Sequence, residues 1–233
     1  MMERVPILDQ AEKEGRSMLT EFESKRVLKQ AGISVVETRL VKTPKEAVSF
    51  SQKAGFPVAL KINSPDIVHK SDAGGVKLSL NNGAEVKKAF EEILRKVKKQ
   101  HPRAAIHGVS VQKMLRPGTE VIVGTSKDPQ FGPVIMFGLG GIFVELLKDV
   151  SFRIIPVKRK DVEEMIHEIK GFPLLQGYRG KEPASIPALV EMILKLSSFM
   201  ERNSWVRELD LNPIIAYRDK AVAVDARVVL EKG

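Results

Sequence analysis

The amino-acid sequence predicts an α/β protein in two lobes. Three observations predict it. Strand-length apolar runs alternate with helical patterns along the first hundred residues, and turn signals built on Gly and Pro punctuate the segments. Past residue 108, several strand patterns follow one another, separated only by "RPG" and "DPQFG". With 233 residues, 43% hydrophobic and 29% charged, the chain is long enough to bury a sizeable core and reads as globular.

The spacing of Leu19, Phe22, Val27 and Leu28 in "SMLTEFESKRVLKQAG" predicts a helix that stops at Gly32, and "ISVVETRLV" follows as a strand. In "TPKEAVSFSQKAG", Thr43 is placed to cap a second helix, Pro44 takes its first position and Gly55 ends it. "PVALKI" is a short strand of the buried type, and "GVKLSL" pairs with it across a long loop. "GAEVKKAFEEILRKVKKQ" is a long amphipathic helix. "GVSVQKML", "TEVIVGTSKD" and "GPVIMFGLG" read as three strands. The last third predicts a strand at "SFRIIPV", helices over 159–169 and 185–202, and closing strands at "VRELDLN", "PIIAYR" and "AVAVDARVV". The predicted lobes are residues 1–110 and 111–233. Neither a repeat nor a low-complexity linker interrupts them.

Composition excludes several functions. No cysteine is present, which removes disulfides, thiolate metal sites and cysteine nucleophiles. No apolar run approaches the ~20 residues that a membrane helix needs, and "MMERVPILDQAEKEGRS" lacks a signal-peptide core, so a cytoplasmic location is expected. The net charge of +9 suggests an anionic partner. Nucleic-acid binders concentrate Lys and Arg among stacking aromatics, whereas here the basic residues are mixed with glutamate along helices and the two tyrosines and one tryptophan stand apart. Phosphate-rich small ligands or an acidic protein partner fit the charge better.

Chemistry concentrates in two places. In "ALKINSPDIVHKSDAGGVKLSL", Lys61 ends a buried strand, where a fixed ammonium can face a phosphate. Gly74 and Gly75 let backbone approach a ligand without a Cβ, and His69 stands in a loop far longer than a turn requires. The bland alternatives are a lysine snorkelling at a strand end, a plain Gly-Gly turn and an idle surface histidine. In "ELDLNP", strand alternation sets Glu208, Asp210 and Asn212 on one face and Leu209 and Leu211 on the other, an unusual concentration of oxygen ligands for a surface strand.

In this order and spacing, "SPDIVHKSDAGGVKL", "GTEVIVGTSKDPQFGPVIMFGLGGIFVELLKDVSFRIIPV", "ELDLNPIIA" and "VDAR" resemble the ATP-grasp fold. More narrowly, they resemble the β subunit of ADP-forming acyl-CoA (acetyl-CoA) synthetases, a family related to succinyl-CoA synthetase. The resemblance covers nearly the whole chain. It implies two α/β lobes with the nucleotide between them: an N-terminal ATP-grasp lobe with a phosphohistidine loop and a C-terminal lobe with metal-binding strands. It also implies that Lys61 contacts the α- and β-phosphates and that Gln112, Lys113, Met114 and Leu115 form an adenine hinge through main-chain hydrogen bonds, the role of the Lys113 side chain staying open. Glu120 is implied as a nucleotide-contacting carboxylate, and Asn212 and Asp225 as Mg²⁺ ligands. His69 is implied as a phosphorylated intermediate, which suits a neutral imidazole. A carboxylate is needed to orient its other ring nitrogen, with Asp210 preferred and Glu208 second.

No GxGxxG fingerprint opens an N-terminal βαβ unit, so no coenzyme A domain is evident. The resemblance places coenzyme A binding, acyl-phosphate chemistry and a first phosphohistidine in an α subunit or α domain, in an α2β2 assembly, with this chain using ADP or ATP and Mg²⁺. The implied net reaction is reversible conversion of acyl-CoA, ADP and phosphate to free acid, ATP and CoA. Competing readings are a non-catalytic nucleotide-binding regulatory subunit and a self-contained ATP-grasp carboxylate ligase.

Overall fold

The apolar spacing of the first thirty residues folds as two helices, α1 (Pro6–Lys13) and α2 (Glu21–Gln30). The first of these is one the sequence pattern did not mark. Helix α2 starts at a capping box: Thr20 Oγ1 accepts from Glu23 N at 3.3 Å, and Glu23 Oε2 accepts from Thr20 N at 2.8 Å. The computed structural model describes residues 6–67, 69–141, 148–180 and 182–231. Val68, beside His69, and residues 142–147 of the "GGIFVELLKDV" run lie outside the described residues.

Contacts divide the chain into two units, 36–116 and 1–35 together with 117–233. In the smaller unit, β1 (Thr38–Val41), β2 (Val58–Asn63), β3 (Val76–Leu80) and β4 (Gly108–Lys113) form an antiparallel sheet in the order β1-β4-β2-β3. Helices α3 (Pro44–Ala54) and α4 (Gly83–Gln100) supply the rest of its core. The predicted cap at Thr43 is present and reciprocated by Glu46, and Gly55 ends α3 at φ 83°. Val86, Ala89, Phe90, Ile93 and Val97 of α4 pack with Val58, Leu60, Ile62, Val109 and Val111. Each fully buried large side chain there contributes about 1.5–3 kcal/mol.

The larger unit is built on an antiparallel sheet of β5 (Thr119–Asp128), β6 (Gly132–Leu139), β7 (Val150–Ile154), β8 (Val206–Ala216), β9 (Ala221–Ala223) and β10 (Arg227–Leu230), ordered β10-β8-β5-β6-β7 with β9 paired to β8. Helices α5 (Arg159–Glu168), α6 (Phe172–Leu175) and α7 (Ile186–Arg202) accompany it, and α7 is capped by Ser185. Val121, Val123, Ile135, Phe137, Leu139, Leu209, Leu211 and Val228 join one core with Leu189, Ile193 and Leu196 of α7. Alternation then puts Gly124, Met136, Glu208, Asp210, Asn212 and Arg227 on the other face of the sheet.

Four predicted boundaries differ from the structure. The lobe division at 110/111 assigns the first 35 residues to the first lobe, yet they lie in the unit of 117–233. The cause is main-chain pairing with the far end of the sequence. Leu19 N donates to Val228 O at 3.0 Å, Leu230 N to Ser17 O at 2.8 Å and Ala223 N to Ser34 O at 3.0 Å. The strand expected over 33–41 is therefore split: Val35 bridges Ala223, and only Thr38–Val41 join the small sheet. "VRELDLN" and "PIIAYR" merge into the single strand β8, while "AVAVDARVV" divides into β9 and β10. No helix among the described residues is long and apolar enough to cross a membrane.

Candidate functional site

Between β2 and β3 the chain builds a device around His69. Ile67 and Ala73 are 5% and 4% exposed and belong to the core of the smaller unit, while His69 between them is exposed. The segment after it makes one helical turn. Ala73 N donates to His69 O at 3.3 Å, Gly75 N to Lys70 O at 2.7 Å and Gly74 N to Ser71 O at 2.9 Å. Gly74 has φ 63°, the left-handed residue that lets the amides after a helical turn reach back to its carbonyls. A Cβ on Gly75 would lie 2.4 Å from Ile62 Cγ2 and 3.0 Å from Lys70 O. Both glycines are thus demanded by the turn that presents His69. Gly75→Ala is expected to destabilise the chain by ~1–3 kcal/mol through overpacking, read as a lowered denaturant midpoint at unchanged slope.

Lys61 lies in the middle of the small sheet on the face opposite its helices, only 8% exposed. Ser110, its register partner on β4, donates from Oγ to Lys61 O at 3.2 Å. Asn63 and Gln112 on these two strands are also buried. This face therefore carries a buried polar row where the opposite face is aliphatic. Of the predicted hinge, Lys113 is exposed, and its Nζ would stand 3.2 Å from a Cβ on Gly55. Met114 N already donates to Pro57 O at 2.9 Å, and Met114 Sδ accepts from Ser79 N at 3.0 Å. In this conformation the Met114 amide is not a donor for adenine, and Leu115 beyond it is half-buried.

The second group stands on the larger sheet, on the face away from its helix core. Glu120 opens β5, exposed, with Oε2 3.4 Å from where Gly141 would carry a Cβ. Glu208, Asp210 and Asn212 alternate along β8 as the sequence predicts, with Leu209 and Leu211 buried between them. Arg227 pairs with Asp210 in the β10–β8 ladder, and Ala223 pairs with Ile214 in the β9–β8 ladder. Asp225 lies in the short connection from β9 to β10, and these strands pair with β8 on either side of Asn212. One observation separates the two carboxylates: Glu208 is held by its neighbour Arg207 at 2.9 Å, whereas Asp210 has no such ion pair among the described residues. Burial pushes the Asp210 carboxyl above its ordinary range, Arg227 opposing the shift and Asp225 adding to it.

Asn212 on β8 and Asp225 in the β9–β10 connection offer an amide and a carboxylate oxygen beside the same sheet. Asp225 Oδ1 also accepts from Ala226 N at 2.8 Å, which orients it. Among the described residues no group of three or more His, Asp or Glu is arranged to hold a metal with protein ligands alone. A hard cation that keeps water and phosphate oxygens in most positions, as Mg²⁺ does, would fit such a sparse oxygen pair.

Residues 10–230 match the family described as an ATP-grasp domain. The chain belongs to the ATP-grasp family. Within it, the chain is 49% identical over 232 residues to a β subunit of ADP-forming acetate–CoA ligase II from Pyrococcus furiosus, covering 98% of each. That degree of likeness places it in the family of ADP-forming acetate–CoA ligase β subunits. Among solved structures, it matches acetyl-coenzyme A synthetase 1 of Ca. Korarchaeum cryptofilum in complex with coenzyme A and Ca-AMPCP. The TM-score is 0.93 at 48% identity, covering 97% of this chain and 99% of that one. Another structure of that enzyme, with Mg-AMPPCP and a phosphohistidine segment pointing towards the nucleotide binding site, matches with TM-score 0.86 at 45% identity, covering 97% and 99%. Sequence reasoning passed over Arg227, which stands opposite Asp210 on this sheet. Alternation from Asp225 within "VDAR" would have marked it.

Proposed function

We propose that this chain is the nucleotide-binding β subunit of an ADP-forming acyl-CoA synthetase, and that His69 carries a phosphoryl group between a partner α subunit and ADP. The observation that carries the reading is the end-to-end match to a β subunit, 98% of each chain at 49% identity. Two local features support the phosphoryl role: the exposed His69 stands at the head of a hydrogen-bonded turn, and the Korarchaeum relative has a phosphohistidine segment.

In the direction of ATP synthesis, the acyl phosphate made in the α subunit first passes its phosphoryl group to a histidine of that subunit, and the free acid leaves as carboxylate. A ring nitrogen of His69 then attacks the phosphorus of that phosphohistidine, the P–N bond to the α-subunit imidazole breaks, and its electron pair returns to that ring. A β-phosphate oxygen of ADP then attacks the same phosphorus. The P–N bond breaks, its electron pair returns to the imidazole, and ATP forms. Asp210 accepts the hydrogen bond of the other ring nitrogen and so selects which nitrogen presents its lone pair. Lys61 neutralises phosphate charge, the Gln112–Leu115 segment borders adenine, and Glu120 contacts the nucleotide. Asn212 and Asp225 would hold Mg²⁺, which supplies charge neutralisation and alignment of phosphate oxygens when bound.

The test is an acyl-CoA synthetase assay. The purified chain is expected to bind Mg-ADP yet produce no acyl-CoA from acid, ATP and coenzyme A. Adding the α subunit restores turnover. Robust synthesis by the chain alone would overturn the two-component reading and leave a self-contained ligase.

A further inference from the structure

On the larger sheet, the face that carries the metal-ligand pair also carries a cation to which the phosphoryl chemistry above gives no role. Arg227 is the register partner of Asp210, which stands two residues from Asn212 on the same face of β8, and Asp225 lies two residues before Arg227 in the sequence. Arg227 is exposed, and it lines a hollow of about 200 Å³ with Gly124, Ser126, Met136, Glu208 and Asp210. Four other arginines of this unit are already committed. Arg207 is bound to Glu208, Arg153 to Glu168, Arg159 to Glu191 and Arg16 to Glu23. Arg227 has no hydrogen bond or ion pair among the described residues, although a buried carboxyl faces it across the ladder.

Spacing decides what that guanidinium can reach. Cross-strand partners hold their Cβ atoms roughly 5 Å apart, and residues two apart on a strand are about 6.6 Å apart. A phosphate bound through a cation on Asn212 and Asp225 therefore lies within one arginine side chain of the Arg227 backbone. Guanidinium presents paired N–H donors that match two phosphate oxygens, which a lysine ammonium does not. Gly124, across from Asp210 on β5, and Ser126 beside it leave room on this side of the hollow. We propose that Arg227 is a phosphoryl-binding residue that grips the terminal phosphoryl group, both as the γ-phosphate of ATP and during its transfer. The proposal rests on the nucleotide-binding reading above but not on His69 being the acceptor.

The experiment compares the full-length wild type with Arg227→Met and Arg227→Lys. Dissociation constants for Mg-ATP and Mg-ADP are measured by calorimetry, and phosphate uptake from Mg-ATP by intact mass. Arg227→Met is expected to weaken Mg-ATP about tenfold or more while changing Mg-ADP less than about twofold, because only the triphosphate carries the gripped group. Arg227→Lys is expected to recover part of the Mg-ATP affinity, since it keeps the charge but not the paired donors. Where the wild type takes up phosphate, uptake by Arg227→Met slows at saturating nucleotide. Unchanged Mg-ATP affinity overturns the proposal, and so does an equal loss on both nucleotides, which would mark a merely structural arginine. A wild type that binds both nucleotides but never acquires phosphate would remove the His69 reading and leave the ATP/ADP comparison to decide Arg227. Should Arg227→Met fail to fold, the same comparison on Arg227→Lys decides, with parity between nucleotides as the overturning result.

Discussion

His69→Ala is expected to acquire no phosphate from Mg-ATP, whereas the wild type gains one that is labile in acid and stable in base. The structure explains why the other three histidines are poor substitutes. His167 is held on α5 by a 2.6 Å contact between its Nδ1 and Glu163 O, with its ring 4.2 Å from Phe172. His107 is half-buried beside β4, its amide tied to Asn63 O at 2.9 Å, and His101 caps the C-terminal end of α4. Only His69 heads a turn that is closed behind it by glycine and flanked by buried anchors. Because the side chain is exposed, its loss is expected to move stability by no more than about 0.5 kcal/mol, so a folded but unphosphorylated variant is the outcome to look for. Phosphate retained on the His69→Ala protein would sink the assignment. The anchors add a physical condition. With Ile67 and Ala73 docked, the tether between them is short, and half of it reaches about 10 Å at ~3.3 Å per residue. Wider travel must withdraw Ile67 from the core against about 1.5–3 kcal/mol of burial.

What the sequence makes legible follows the range of the forces involved. The cap at Thr43, the amphipathic α4 and the alternation in "ELDLN" are local patterns, and the structure holds each of them. Non-local pairing left less trace. Residues 17–19 hydrogen-bond to β10, two hundred positions away, and nothing in "RSMLT" signals that partner. The same pairing moves the first 35 residues out of the lobe to which contiguity would assign them. Helix α1 escaped because its eight residues include only three apolar side chains ahead of its last turn. At the site, alternation placed Glu208, Asp210 and Asn212 on a common face, but only strand pairing brought the β9–β10 connection that carries Asp225 to β8 and set Arg227 against Asp210. The glycines were legible as turn formers, and Ile62 and Lys70 O supply the steric reason for Gly75.

Substitutions on that face are expected to divide into two classes. Asn212→Ala or Asp225→Ala removes one of two oxygen ligands on the larger sheet. Magnesium-dependent nucleotide affinity should then fall by at least the ~10–100-fold that loss of even an outer-shell partner costs. Asn212 is exposed and Asp225 half-buried, so neither change opens a cavity, and the melting temperature without metal should stay close to wild type. Asp210→Asn should behave differently. It keeps the shape of the side chain, spares nucleotide affinity, and slows phosphate uptake on His69 because an amide cannot accept and hold the ring N–H as a carboxylate does. A stability signature accompanies it. Burial holds the Asp210 carboxyl above its ordinary range, so protonation is favoured in the folded chain and its stabilising contribution is lost as pH rises through the folded value. Without added magnesium, the stability of Asp210→Asn relative to wild type is therefore expected to increase from acid towards neutral pH, where the wild type keeps a partly buried charge. Denaturant melts at a series of pH values measure this directly, alongside calorimetry with Mg-ADP. If Asp210→Asn abolished nucleotide binding as fully as the other two, Asp210 would be the metal ligand and the orienting role would pass to its neighbours on the strand.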